Sequence, residues 1–343
     1  MMQEKVEITN ILAIGDSLSD RGTMAKSALA AFSGLWGTSP HGRFTNGFVW
    51  LDYFVRRLRA DTDVTAIAPT PSAPKSFFSF NNDEYVGTQK SPILARTYCV
   101  GGMTAHDYSD TYRPRKPLLN ASAKVLETLK SLREEVGRDD DAMALTEGEK
   151  ASTLVVEWSG ANDLITINNK PSMVAAEKAV VARAMSIRKM IDSGYKNFVL
   201  FNMPNLALTP RFQNGNADLR ELADECCNHM NSKLEEAIDV LKRDFPDCSF
   251  HIFDANHHFV NAYSNPESFG FEKALRHQPF IESRAFKDDD PTTTAASYIF
   301  WDDVHPTEAV HVILANVFYR DVFSQHYNFA PSEHTLVRQF QKA

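Results

Sequence analysis

The stretch ILAIGDSLSDRG, residues 11–22, decides how this chain is read. Ile11, Leu12, Ala13 and Ile14 form a short apolar run, and Gly15-Asp16-Ser17-Leu18-Ser19-Asp20 follow at once. A short apolar run bounded by turn residues is the pattern of a buried strand. A strand that ends in small polar groups delivers them to one edge of its sheet. Ser17 is therefore either a turn residue or a hydroxyl presented for chemistry.

The same pattern recurs along the chain. Strands are expected at 8–15, 95–100, 152–160, 197–204 and 249–255. Helical periodicity lies between them, at 47–58, 122–136, 172–194 and 217–245, with a closing helix at 307–323. Gly194 closes the third of these helices and Pro306 opens the last. Strands of about six residues alternating with helices predict a parallel sheet covered on both faces, in an α/β fold. No internal repeat or linker interrupts the chain, so residues 1–343 read as one domain. Two regions resist the pattern, proline-rich 61–94 and 261–296 with its NPESFGF and KDDDPTTTA segments. Long irregular insertions of this kind are candidates for a lid or a docking surface, including one for an activating protein.

With 343 residues the chain can bury a large core. Its 43% apolar and 23% charged content is that of an ordinary globular protein. The net charge of −8 argues against a nucleic-acid partner and against electrostatic anchoring to anionic lipid. The 23 phenylalanines are core candidates, some of them able to line an apolar cleft. Cys99, Cys226, Cys227 and Cys248 form no C-x-x-C motif and read as buried thiols. Asp139–Asp141 and Asp288–Asp290 read as solvated loops, and His257, His258 and His311 lack the companions of a zinc site. The start MMQEKVEITN has no apolar signal core, and no run of ~18 apolar residues occurs. Cytosolic, mature secreted and signal-less exported forms all fit.

In parallel α/β sheets, function gathers at the carboxyl ends of the strands. Ser17 follows the first expected strand, Gly102 the second, and Gly160, Asn162 and Asp163 the third, while FWDDVHPTEAVH precedes the last helix. A serine is a weak nucleophile without a base, and His305 is the candidate base. Asp302, three residues upstream, could orient the imidazole, and Asp303 competes for that role. The amides of Ser17 and Gly102 and the side-chain amide of Asn162 are candidate donors to a developing oxyanion. Asn162 could instead merely cap a helix, and Asp163 organise its turn.

Four blocks in order resemble the GDSL, or SGNH, esterases and lipases: Gly15-Asp16-Ser17-Leu18, Gly102 in YCVGGMT, Gly160-Ala161-Asn162-Asp163, and Asp302-Asp303-Val304-His305-Pro306. GRFTNGFVWLDY (42–53), FNMPNLALTP (201–210) and NPESFGF (265–271) also resemble that family, with a look closest to its bacterial phospholipase A, lysophospholipase and glycerophospholipid:cholesterol acyltransferase branch. The resemblance implies a flavodoxin-like three-layer α/β/α fold with a five-stranded parallel sheet. It implies a Ser17–His305–Asp302 triad, an oxyanion hole from Ser17, Gly102 and Asn162, and no metal or cofactor. The expected activity is ester hydrolysis on lipid through an acyl-enzyme on Ser17, with acyl transfer to a sterol as an open branch and transient membrane-surface contact. The alternatives are a carbohydrate acetyl esterase of the same fold and a catalytically dead binding module. Many secreted relatives carry a cysteine shortly after N-P-x-x-x-G-F, where this chain reads EKALRHQPF.

Overall fold

A computed structural model of the protein describes residues 5–26, 42–61, 84–88, 91–108, 145–166, 170–287 and 295–329. The expected helix at 122–136, the acidic runs at 139–141 and 288–290, and most of 61–94 lie outside the described residues.

The expected first strand divides at Thr9, whose amide donates to the Ser152 carbonyl at 2.8 Å. Strand β1 (Val6–Ile8) precedes the break and β2 (Asn10–Gly15) follows it. Along the chain come β3 (Glu84–Thr88), β4 (Ser91–Cys99), β5 (Thr153–Trp158), β6 (Asn197–Phe201), β7 (Ser249–Phe253) and β8 (Tyr327–Phe329). The main sheet has the order β3-β4-β2-β5-β6-β7. Strands β4, β2, β5, β6 and β7 run parallel to one another, which gives the expected five-stranded parallel sheet. Beyond the expected five, β3 pairs antiparallel with β4 at one edge, inside the stretch read as irregular. Pro92 can stand in β4 because it precedes Leu94, where pairing with β2 begins. A separate ribbon pairs β1 in parallel with β8, joining the two ends of the described chain.

All six residues of β2 are buried. Alternate side chains go to opposite faces, Leu12 and Ile14 into one core and Ile11 and Ala13 into the other. Six helices matter to the layers and the site: α1 (Trp50–Asp61), α2 (Ala161–Ile165), α3 (Met173–Asp192), α4 (Ala217–Asp244), α5 (Ala255–Ser264) and α6 (Glu308–Phe318). The first face is covered by α3 and α4, through Ala176, Ala179, Ile187, Leu234 and Ile238. The second face is covered by α1, α5 and α6, through Trp50, Phe54, Ala262, Val310 and Phe318. The result is the three-layer α/β/α arrangement. Helices begin where side chains can accept orphan amides: Ser172 caps α3 and Asn216 caps α4.

Much of 261–296 is ordered by short turns. The end of α5 runs into 3₁₀ turns at Pro266–Phe269, Lys273–Leu275 and Phe280–Glu282. Phe280 and Ile281 donate their amides to the carbonyls of Phe300 and Trp301, each at 3.0 Å. The region thus buttresses the segment that carries Asp302.

Numbered along the chain, the five parallel strands have the spatial order 2-1-3-4-5. The chain leaves β2 toward β4 on one side, then returns to β5 on the other. Such a reversal opens a crevice at the carboxyl ends of the strands, where α/β proteins place their sites.

Candidate active site

Ser17 sits two residues past β2, at this switch point, and is 7% exposed. Asp16 turns the chain there: its amide donates to the Trp158 carbonyl at 3.3 Å, and its carboxylate accepts the Leu18 amide at 3.1 Å. Burial pushes the Asp16 carboxyl up to about 7, with Glu157 and Asp163 adding to the rise and the Leu18 amide and His305 opposing it.

His305 reaches Ser17 from the loop before α6. Its Nε2 lies 2.8 Å from Ser17 Oγ, and its Nδ1 lies 2.7 Å from Asp302 Oδ2. The other Asp302 oxygen accepts the amides of Val304 at 2.9 Å and His305 at 2.7 Å, so the carboxylate is locked by its own turn. Asp303 points elsewhere, to Arg211 Nε at 2.7 Å. Burial by itself would lower the pKa of His305, but the Asp302 carboxylate outweighs it and holds the pKa above the ordinary 6.5. Burial likewise opposes ionisation of Asp302, and His305 reverses it, leaving Asp302 below its ordinary value. The pair favours imidazolium beside carboxylate, the state produced when a hydroxyl gives up its proton.

The oxyanion candidates come from the turn after β2, the loop after β4 and helix α2. After β4, the Met103 amide donates to the Val100 carbonyl at 3.1 Å, and Gly102 has φ +81°. An i→i+3 bond with positive φ only at the third residue is the signature of a type II turn, which wants glycine there. Among the described residues, neither the Ser17 amide nor the Gly102 amide has a hydrogen-bond acceptor. Asn162 is the second residue of α2 and uses one amide hydrogen on the Met103 carbonyl at 3.0 Å, while its carbonyl accepts Thr166 Oγ1 at 2.8 Å. Its second amide hydrogen is left over.

Two further carboxylates hold the loop after β4. Asp20 accepts the Gly101 amide at 2.8 Å, and Asp163 accepts those of Ala105 at 2.7 Å and His106 at 3.0 Å. Gly101 also leaves room for Phe44: a Cβ there would lie 2.0 Å from the Phe44 ring. The same ring packs 5.1 Å from the imidazole of His305.

Reading the sequence residue by residue missed how the His305 segment is held. Thr45 Oγ1 donates to the Pro306 carbonyl at 3.0 Å, and Asn46 Oδ1 accepts the Glu308 amide at 2.8 Å. Glu308 in turn accepts the Phe48 amide at 2.9 Å and the Tyr53 hydroxyl. The available signal was the polar TN pair in GRFTNGF, set just ahead of an apolar helix. Among the described residues no group of three or more His, Cys, Asp or Glu is placed to hold a metal ion. Nor is any described helix long and apolar enough to cross a membrane.

The family model described as GDSL-like Lipase/Acylhydrolase matches residues 11–318. Several curated proteins align over most of the chain, three bacterial ones among them. The secreted effector protein SseJ of Salmonella typhimurium is 24% identical over 94% of this chain and 65% of its own length. The thermolabile hemolysin of Vibrio parahaemolyticus is 22% identical over 90% of this chain and 62% of its own. The phosphatidylcholine-sterol acyltransferase of Aeromonas hydrophila is 22% identical over 90% of this chain and 88% of its own. The chain thus spans less than two thirds of the length of the first two. A solved acetyl xylan esterase covers 92% of this chain at 13% identity and a TM-score of 0.42, too loose a fit to bear on substrate.

Proposed function

The chain belongs to the GDSL-like lipase/acylhydrolase family, and from that premise we propose that it is a serine-dependent hydrolase of lipid carboxylic esters. The single observation that carries this reading is the continuous hydrogen-bond chain Asp302–His305–Ser17, at 2.7 and 2.8 Å. In the proposed mechanism His305 Nε2 takes the Ser17 proton as Oγ attacks the ester carbonyl. Asp302 holds the Nδ1–H tautomer and the imidazolium that forms. The amides of Ser17 and Gly102, with the Asn162 side chain, stabilise the oxyanion. The tetrahedral intermediate collapses, His305 returns the proton to the leaving alcohol, and the acyl group stays on Ser17. Water, or an acceptor alcohol such as a sterol, then attacks the acyl-enzyme with His305 again as base.

The lipid assignment draws on the relatives, one of which is named for acyl transfer from phosphatidylcholine to sterol. The test is Ser17→Ala, assayed with p-nitrophenyl butyrate, a fluorophosphonate probe and phosphatidylcholine vesicles with and without cholesterol. The wild type is expected to label and to release fatty acid, and the variant to do neither. Retained turnover by the variant would overturn the mechanism. A wild type that does not label would point instead to a dead hydrolase used for binding. Labelling with turnover of acetylated xylan and none of phospholipid would move the substrate to carbohydrate.

A further inference from the structure

We propose that Asp20 is a positioning residue for the oxyanion-binding turn: by holding the Gly101 amide it aims the Gly102 amide at the carbonyl that Ser17 attacks. This rests on the hydrolase reading above.

Asp20 is 0% exposed and its carboxylate accepts four backbone amides. Three are local, Gly22 at 2.9 Å, Thr23 at 2.6 Å and Met24 at 3.1 Å, and they cap the short helical turn Thr23–Lys26. Serine, threonine or asparagine would cap as well, without burying a charge. Burial is indeed costly here, pushing the Asp20 carboxyl up to about 6 against the pull of all four amides. What a neutral cap would not supply is the fourth bond, to Gly101, 81 residues away on the loop after β4.

That bond acts at the first corner of the type II turn. In such a turn the central peptide, here Gly101–Gly102, stands across the turn plane, so its N–H makes no bond within the turn. The setting of the preceding amide plane governs where this N–H points. Asp20 fixes the Gly101 amide at 2.8 Å, the Asn162 side chain fixes the Met103 carbonyl at 3.0 Å, and Asp163 fixes Ala105 and His106. The segment 101–106 is therefore held at both ends, while the Gly102 amide between them has no acceptor among the described residues. The strand exit that presents Ser17 also carries, three residues on, the carboxylate that sets this turn. Nucleophile and oxyanion donor are thus referenced to one short segment, 15–20.

Two changes separate aiming from capping. Asp20→Ser keeps a capping hydroxyl but is too short to hold Gly101. A backbone ester in place of the 100–101 amide removes the Gly101 N–H and leaves Asp20 with its three cap bonds. Each protein is assayed for melting temperature, for kcat and KM on p-nitrophenyl butyrate, and for inhibition by phenylboronic acid, which adds to a serine as a tetrahedral anion. Both changes are expected to lower kcat by about 10–100-fold, up to the cost of misplacing such a donor by about 1 Å and short of losing it, with KM within about twofold. The inhibition constant for the boronic acid should rise in proportion to the fall in kcat. A folded ester-bearing protein with kcat within about twofold of wild type overturns the proposal, as does a loss confined to KM. Folding failure of Asp20→Ser alone leaves the ester to decide. Ser17→Ala run alongside keeps the two questions apart: if that variant turns over substrate, the hydrolase reading itself fails, whatever Asp20 does.

Discussion

Two aspartates stand side by side ahead of His305, and the geometry gives them different work. Asp302 turns back on its own loop, one oxygen on two amides and the other on the imidazole at 2.7 Å. Asp303 faces outward to Arg211, with 45% and 38% of the two side chains exposed. Exposed pairs of this kind contribute about 0–1 kcal/mol. Asp302→Asn is therefore expected to lower kcat by about 10³–10⁴-fold, by analogy with the orienting aspartate of a serine protease. Asp303→Asn should leave kcat within about threefold. Steady-state kinetics on a p-nitrophenyl ester decides, and the reverse pattern would reassign the carboxylate. Spacing alone left both aspartates open, because either can reach a histidine two or three positions on, and it was the D-x-x-H-P resemblance that pointed to Asp302. The Asx turn at Asp302 breaks the tie, and it is set by where the preceding Trp301 packs. Trp301 is 2% exposed against Phe280, whose own place depends on distant residues.

At the scale of elements, β5 and α3 share a buried ion pair. Glu157 is a charged group near the end of a strand buried on both faces. Its partner is Arg183 of α3, at 2.6 Å, with 1% and 2% of the two side chains exposed. Arg183 also donates to the Phe201 carbonyl at 2.6 Å, and the Ser159 hydroxyl donates to Glu157. The helix is thereby pinned across the ends of β5 and β6, against α2, which carries Asn162. Arg183→Met leaves an unpaired buried carboxylate and is expected to cost about 3–5 kcal/mol in urea unfolding. The double variant Glu157→Gln, Arg183→Met should recover part of that loss. No recovery would mean that Arg183 acts by its bulk and not by its charge. Five strands and the long helices were legible because their apolar residues recur at strand and helix spacing. The edge strand β3 was not: it is five residues long, contains Gly87 and has a single strand partner, β4.

Across the whole molecule, acid sensitivity follows from groups buried in their neutral form. His311 on α6 is 1% exposed, and its Nδ1 has no hydrogen-bond partner among the described residues. Burial pulls it from 6.5 down to about 3, helped by the charge of His305 and opposed by Asp52. The unfolded chain binds this proton near pH 6.5 and the folded protein only near 3, so stability is lost as pH falls between those values. His251, lowered to about 4, acts in the same direction. Asp16 and Asp20, raised to about 7 and about 6, act oppositely, since the fold takes up their protons before the unfolded chain does. The His311 contribution is therefore read as a difference. His311→Leu should gain about 1–2 kcal/mol on wild type when urea unfolding at pH 5 is compared with pH 8. An unchanged difference would mean that the imidazole is protonated in the fold.

By itself the sequence determined the α/β class and the strand ends on which Ser17, Gly102 and Asn162 lie. These are properties of local pattern, because strand exits and turn glycines are dictated by residues close in the chain. Tertiary structure alone decided that Thr45 and Asn46 hold the histidine's segment and that Asp20 reaches Gly101. Those contacts span up to 262 residues. They exist only because the strand order reverses beside β2 and brings the ends of three strands into one crevice.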